Sequence, residues 1–152
     1  MKAVISGSFK KYFNEITQAA KKLQQEGIEV IAPQISPIVN PGKEFILLEK
    51  DNGKLPYEIE MDFMENIEKV DFLYVINAGN YIGESVSAEI SHAKLHNIPV
   101  IYSCGDIPIQ ELNIEGIKEM LHLLQKELTQ EEIEICTHLR DTLLEKLKHT
   151  HV

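Results

Sequence analysis

The chain predicts an α/β domain: a parallel sheet of four or five strands between layers of helix, with extra helices at the C-terminal end. Short apolar runs alternate four times with segments of helical periodicity, the pattern of strand–helix–strand units joined by right-handed crossovers. The runs around Phe72 and Ile101 are apolar at successive positions rather than alternate ones, as strands covered on both faces must be. Glycine or proline punctuates most of the junctions.

Taken in order, Met1 to Ser6 reads as a buried strand and Gly7-Ser8-Phe9 as the turn that follows it. From about Phe13 to Gly27 the chain is amphipathic, with Ile16, Ala19, Ala20 and Leu23 on one helical face and Gly27 placed as a left-handed cap. Ile28 to Ala32 is a second strand, stopped by Pro33. Gln34 to Pro56 is a long connection in which Asn52-Gly53 has the chemistry to close a small hairpin with Phe45 to Leu48 as one arm. It is either a surface excursion or a flap over the ligand edge of the sheet, where the second strand ends. Tyr57 to Val70 carries Ile59, Phe63, Ile67 and Val70 at helical spacing, and Asp71 to Asn77 is a third, fully apolar strand. Ser85 caps the next helix, which Pro99 brings to an end before a fourth strand through Ser103. Beyond Gly105, Ile114, Ile117, Leu121 and Leu124 mark one more helix, and Thr129-Gln130-Glu131-Glu132 is a capping box that starts the last. Residues 1–128 thus form the α/β domain in a flavodoxin-like or Rossmann-like three-layer arrangement. Residues 129–152 form an amphipathic helix with Ile133, Cys136, Leu139, Leu143 and Leu147 on one stripe, packed on the domain or on a partner subunit.

With 24 acidic and 15 basic residues the net charge is -9, which argues against nucleic acid as a partner. A phosphorylated small molecule remains compatible, because backbone amides and one or two lysines bind an anion whatever the global charge. The absence of a run of about 18 apolar residues and of a basic, hydrophobic leader predicts neither a membrane span nor secretion, leaving the cytoplasm as the expected location. Cys104 and Cys136 lack CxxC spacing and read as reduced thiols packed as small hydrophobes. Neither a metal nor a cofactor is expected.

Ligands of open α/β sheets bind beyond the carboxyl ends of the strands, and three groups of residues fall there. Glu89 lies in the early turns of the helix after the third strand, which makes it the leading candidate for chemistry. Ser6, Gly7, Ser8 and Phe9, followed by Lys10 and Lys11, offer hydroxyls, a permissive glycine and cations after the first strand, a turn able to hold a phosphate or sugar. Asn77, Tyr81, Gly83 and Ser85 end the third strand and form its glycine-bearing loop, where Asn77 can bond a ligand hydroxyl and Tyr81 or Phe9 can stack on a flat ring. There is no P-loop and no GxGxxG. A phosphoacceptor receiver domain is a poor fit, since Ser6-Gly7-Ser8 lacks the acidic pair that would hold its metal.

GSF after the first strand, then DFLYVIN, then YIGESVSAEISHA ahead of IPVIYS, resemble the nucleoside 2-deoxyribosyltransferase superfamily, which includes nucleotide N-glycoside hydrolases. The likeness runs from about Met1 to Ser103 and is most specific at Glu89-Ile90-Ser91-His92-Ala93. It implies that Glu89 attacks the anomeric carbon of a nucleoside or nucleoside 5'-monophosphate and expels the base, with water or a second base completing the reaction. A carboxylate suits that task, because it stabilises or traps the oxocarbenium-like charge that develops on the sugar.

The departing base needs a proton, so a second carboxyl with a raised pKa is expected. Superfamily transferases carry Asp six residues before the nucleophile, where this chain has Gly83; an acidic residue on the preceding helix falls by ungapped counting on Phe63. Glu84, beside Gly83, and Asp62, beside Phe63, are the substitutes, with Glu58 also on the favoured early turns of that helix. The resemblance further implies a homodimer or higher homo-oligomer. The reading from a different class is a module that binds a nucleotide or nucleotide sugar without cleaving it.

Overall fold

The computed structural model describes residues 1–124 and 126–151. Strands β1 (Lys2–Ser6), β2 (Glu29–Ala32), β3 (Phe72–Val75) and β4 (Val100–Tyr102) form one sheet in the order β2-β1-β3-β4, every neighbouring pair parallel. Around it lie α1 (Phe9–Gln25), α2 (Pro56–Ile67), α3 (Glu84–Leu95), α4 (Ile114–Leu123) and α5 (Gln130–Lys148). This is the flavodoxin-like three-layer arrangement with four strands.

The uninterrupted apolar runs follow from the two cores they serve. Ala3, Ile5, Phe72, Tyr74 and Ile101 face α1 and α4, where they meet Ile16, Ala19, Leu23 and Ile117. The intervening Val4, Leu73, Val75 and Val100 face α2 and α3, where they meet Ile67, Val86, Ile90 and Ala93. Burial of each large aliphatic side chain contributes about 1.5–3 kcal/mol, so a polar residue in either phase of β1 or β3 requires a specific partner. Ser6, at the end of β1, is such a residue.

α5 adds a further layer. Leu143 and Leu147 are buried against Met64 of α2 and Ala88 of α3, with Phe45 and Tyr57 around them. Helix α5 therefore packs on the domain, with Cys136 buried as well; Leu139, expected on the same stripe, and Ile135 remain exposed at 41% and 54%. Its start is the expected capping box, Glu132 N donating to Thr129 Oγ1 at 3.2 Å and Thr129 N to Glu132 Oε1 at 3.3 Å.

Several local expectations are corrected. α1 begins at Phe9 rather than near Phe13, because Ser8 caps it by accepting from Lys11 N at 3.3 Å; the turn after β1 is thus only Gly7 and Ser8. Gly7 is needed there, since a Cβ would stand 3.0 Å from Ile76 Cβ and 3.3 Å from Ile16 Cδ1. α3 is capped by Gly83, and Ser85 lies inside its first turn. In the long connection the antiparallel contact is Ile38 with Leu48, with Val39 N bonded to Leu47 O at 3.0 Å and Glu49 N to Pro37 O at 2.9 Å. Asn52-Gly53 instead follows the short 3-10 turn Glu49–Asp51, with φ of +54° and +74°. Cys104 is exposed, unlike Cys136.

Because Leu143 is only 3% exposed and belongs to the α2–α3–α5 cluster, Leu143→Ala is expected to cost about 2–5 kcal/mol in urea unfolding. A cost near zero would mean that α5 is not held to the domain.

Candidate functional site

A cavity of about 760 Å³ opens beyond the carboxyl ends of β1 and β2. Its walls come from the start of α1, from α2 and α3, from the connection between β2 and α2, and from the last turns of α5. The connection accordingly serves as a cover: Phe45, Ile46, Leu48 and Lys50 all line the space.

Glu89 and Glu60 both line this cavity, yet they are only 6% and 4% exposed. Glu89 projects from the second turn of α3. Glu60 projects from α2 on the stripe Pro56, Glu60, Met64, Ile67, which is the buried face of that helix. The Ser6 hydroxyl donates to Glu89 Oε1 across 83 positions of sequence, joining β1 to α3. Burial pushes the Glu60 carboxyl well above the ordinary carboxylate range, and the neighbouring Glu89 raises it further. Burial also raises Glu89, opposed by hydrogen bonds from Glu60 and from Ser6 that favour its ionised form. Of the two, Glu60 is held the more strongly towards its protonated form, by burial and by the carboxyl beside it, while the bonds to Glu89 oppose its own rise. Glu60 Oε1 is buried and, among the described residues, meets no N–H or hydroxyl donor. Two carboxyl groups whose surroundings separate their pKa values form a potential acid and base.

The other acidic candidates stand at the rim. Asp62 lines the cavity but is exposed and paired with Lys54 Nζ at 2.6 Å. Glu84 also lines it and is paired with Lys146 of α5 at 2.8 Å. Glu58 caps α2 by accepting from Leu55 N at 3.1 Å. The buried partner of Glu89 is therefore Glu60, two residues from Asp62 and on a different face of the helix. The sequence carried a signal for it: Glu60 is in phase with Pro56, Met64 and Ile67, so an acid interrupts an otherwise apolar stripe.

Of the remaining candidates, Gly7, Ser8, Phe9, Tyr81, Gly83 and Ser85 line the cavity, and Ser6 reaches it through Glu89. Lys11 Nζ lies over the Tyr81 ring, 3.5 Å from its centroid, and Lys10 reaches across to Glu44 of the cover at 2.8 Å. Asn77 is turned elsewhere. Its Oδ1 accepts from Ser103 Oγ at 3.1 Å and from Cys104 N at 2.8 Å, while Nδ2 donates to Cys104 O, so its amide fastens the end of β3 to the chain after β4. His92, one turn beyond Glu89, is buried outside the cavity beside His96 and Glu68. Asp71 accepts from Lys2 N at 2.7 Å at the opposite edge of the sheet, in a structural role.

No helix among the described residues is long and apolar enough to cross a membrane. Comparison with family models, with curated proteins and with solved structures finds no match.

The buried pair has a signature in stability. In the unfolded chain Glu60 ionises above about pH 4.3, whereas burial raises its pKa in the folded state. The folded state then binds more protons than the unfolded one, so stability falls as pH rises from that point towards the folded pKa. Glu60→Gln keeps the shape and a donor but removes the titration. It is expected to raise Tm at pH 7, with the gain shrinking towards pH 4; a lower Tm at pH 7 would contradict the assignment.

Proposed function

We propose that the protein cleaves the N-glycosidic bond of a nucleoside or nucleoside 5'-monophosphate through Glu89. The observation that carries the reading is the buried Glu60–Glu89 pair at the wall of a cavity large enough for such a ligand, with Glu60 biased by burial towards its protonated form. The likeness of Glu89 to Ala93 to the deoxyribosyltransferase motif supports the same choice of bond.

In this reading the ionised oxygen of Glu89 bonds to the anomeric carbon as the carbon–nitrogen bond breaks, and the electrons of that bond leave with the base. Glu60 supplies the proton that the base takes with it. Water or a second base then attacks the same carbon, the Glu89 ester opens, and the incoming group's proton returns to Glu60. Ser6 is a positioning residue: its hydroxyl holds Glu89 in one rotamer and stabilises the anion. Phe9 and Tyr81 offer faces for the base, and Lys11 and Lys50 offer positive charge at the same cavity. A dimer or larger assembly is the accompanying proposal from the resemblance, and a cytoplasmic location is proposed beside it.

Non-catalytic binding of a nucleotide or nucleotide sugar is the second reading. It is favoured by the engagement of Glu89 with Ser6 and by the rim ion pairs that occupy Asp62 and Glu84.

Incubation with a panel of nucleosides and their 5'-monophosphates, with free base measured by chromatography, tests the proposal. Base release that falls to background in Glu89→Gln and by about 10²–10⁴-fold in Glu60→Gln is expected. A ligand that raises Tm yet stays intact on long incubation would instead support the binding module, and equal release by Glu89→Gln would remove Glu89 from the chemistry.

A further inference from the structure

Outside the cavity, Glu68, the residue that caps the end of α2, meets His92 of α3 and His96, which caps the end of α3. We propose that these three side chains form a site for a divalent transition-metal ion of the zinc type, which clamps the C-terminal end of α2 to α3.

The donor atoms are already gathered. One atom from each residue lies within 4.8 Å of the others. Glu68 Oε2 is 3.1 Å from His92 Nε2, and Glu68 Oε1 is 3.6 Å from His96 Nε2. Ligands bound to zinc at about 2.0–2.1 Å in tetrahedral geometry stand roughly 3.3–3.4 Å apart; the two carboxylate–imidazole spans, made by the two oxygens of Glu68, bracket that value, and small side-chain rotations draw the trio onto one ion. His96 caps α3 four residues after His92, its N bonded to His92 O at 3.3 Å, close to the spacing by which a helix presents two imidazoles to one ion. Their rings meet edge to face with centroids 4.4 Å apart.

A purely ionic triad accounts for this cluster less well. One carboxylate neutralises one imidazolium, and a second imidazolium at this separation would be repelled by the first. A metal ion uses the lone pairs of both rings in their neutral form. His92 is only 5% exposed, and among the described residues its Nε2 meets no polar side chain but Glu68. Side-chain exposures of 41% for Glu68 and 31% for His96 provide an entry path and leave the fourth coordination position to water. Two imidazoles with a single carboxylate suit zinc or cobalt and are too poor in oxygen for magnesium or calcium. Arg140 of α5 is the opposing charge that also faces His92; Asp141 holds it at 3.0 Å.

The ion would act on architecture rather than on the reaction, because α2 carries Glu60 and α3 carries Glu89. The inference does not depend on what the cavity binds.

The full-length chain, stripped with a chelator and desalted, is titrated with Zn²⁺, Co²⁺ and Mg²⁺ while Tm and the visible absorption of cobalt are followed. Zn²⁺ at a hundredfold excess over Kd is expected to raise Tm by about 5–10 °C, Co²⁺ to show intense bands of a four-coordinate ion at one equivalent, and Mg²⁺ to do nothing. His96→Gln and Glu68→Gln, both at solvent-reaching positions, are expected to weaken binding about tenfold or more with an unchanged circular dichroism spectrum. Absence of any shift at about 100 μM Zn²⁺ would overturn the proposal. So would binding of equal strength in both variants, since another of the six histidines would then hold the ion.

Discussion

Removing a carboxylate from water costs several kcal/mol even after the protein relaxes around it, and two carboxyl groups side by side in that environment cannot both be charged. Glu60 and Glu89 are placed under both constraints at once, and the surrounding elements are arranged around their shared solution. Ser6 ends β1 with a hydroxyl aimed at Glu89. Gly7 permits the close approach of α1 that makes room for that turn. Met64 and Ala88, neighbours of the two acids on α2 and α3, are sealed by Leu143 and Leu147 of α5. The fold spends hydrophobic stability to keep two acidic side chains together out of water, with burial raising the pKa of both.

The closure around that pair is unequal in strength. On the inner side it is apolar and tightly packed. At the rim three ion pairs join separate elements: Lys10 with Glu44 between α1 and the cover, Lys54 with Asp62 between the cover and α2, and Lys146 with Glu84 between α5 and α3. Exposed pairs of this kind are weak and screened by salt. The first two set the resting position of the cover without locking it, and the third ties α5 to α3 at the same edge. Asp62 and Glu84, attractive as acids in the sequence, are better understood as parts of this rim.

The architecture was legible because burial on both faces leaves an unmistakable apolar run, as in Phe72 to Val75, and because Gly27 and Thr129 mark helix ends by local chemistry alone. Glu89 was legible for a topological reason: a helix that follows a central parallel strand starts at the ligand edge wherever the loop before it is short. Glu60 was not, because Ile59 and Phe63 suggested one helical phase while the buried face follows Pro56, Glu60, Met64 and Ile67, less than one turn away. Burial of an acid depends on what covers it, and α5 lies more than 60 positions further along the chain. Asn77 misled for a related reason. An amide at a strand end serves a ligand or the neighbouring loop equally well, and only the position of Ser103 and Cys104 decides between them.

Carbon-13 NMR of glutamate side-chain carboxyls, assigned by comparison with Glu60→Gln and Glu89→Gln, measures the shared proton without any substrate. The account predicts that Glu60 remains protonated at neutral pH while Glu89 is ionised, and that Glu89→Gln lowers the pKa of Glu60 by removing the neighbouring charge. Two carboxyls titrating independently near pH 4.3, as exposed glutamates do, would contradict it.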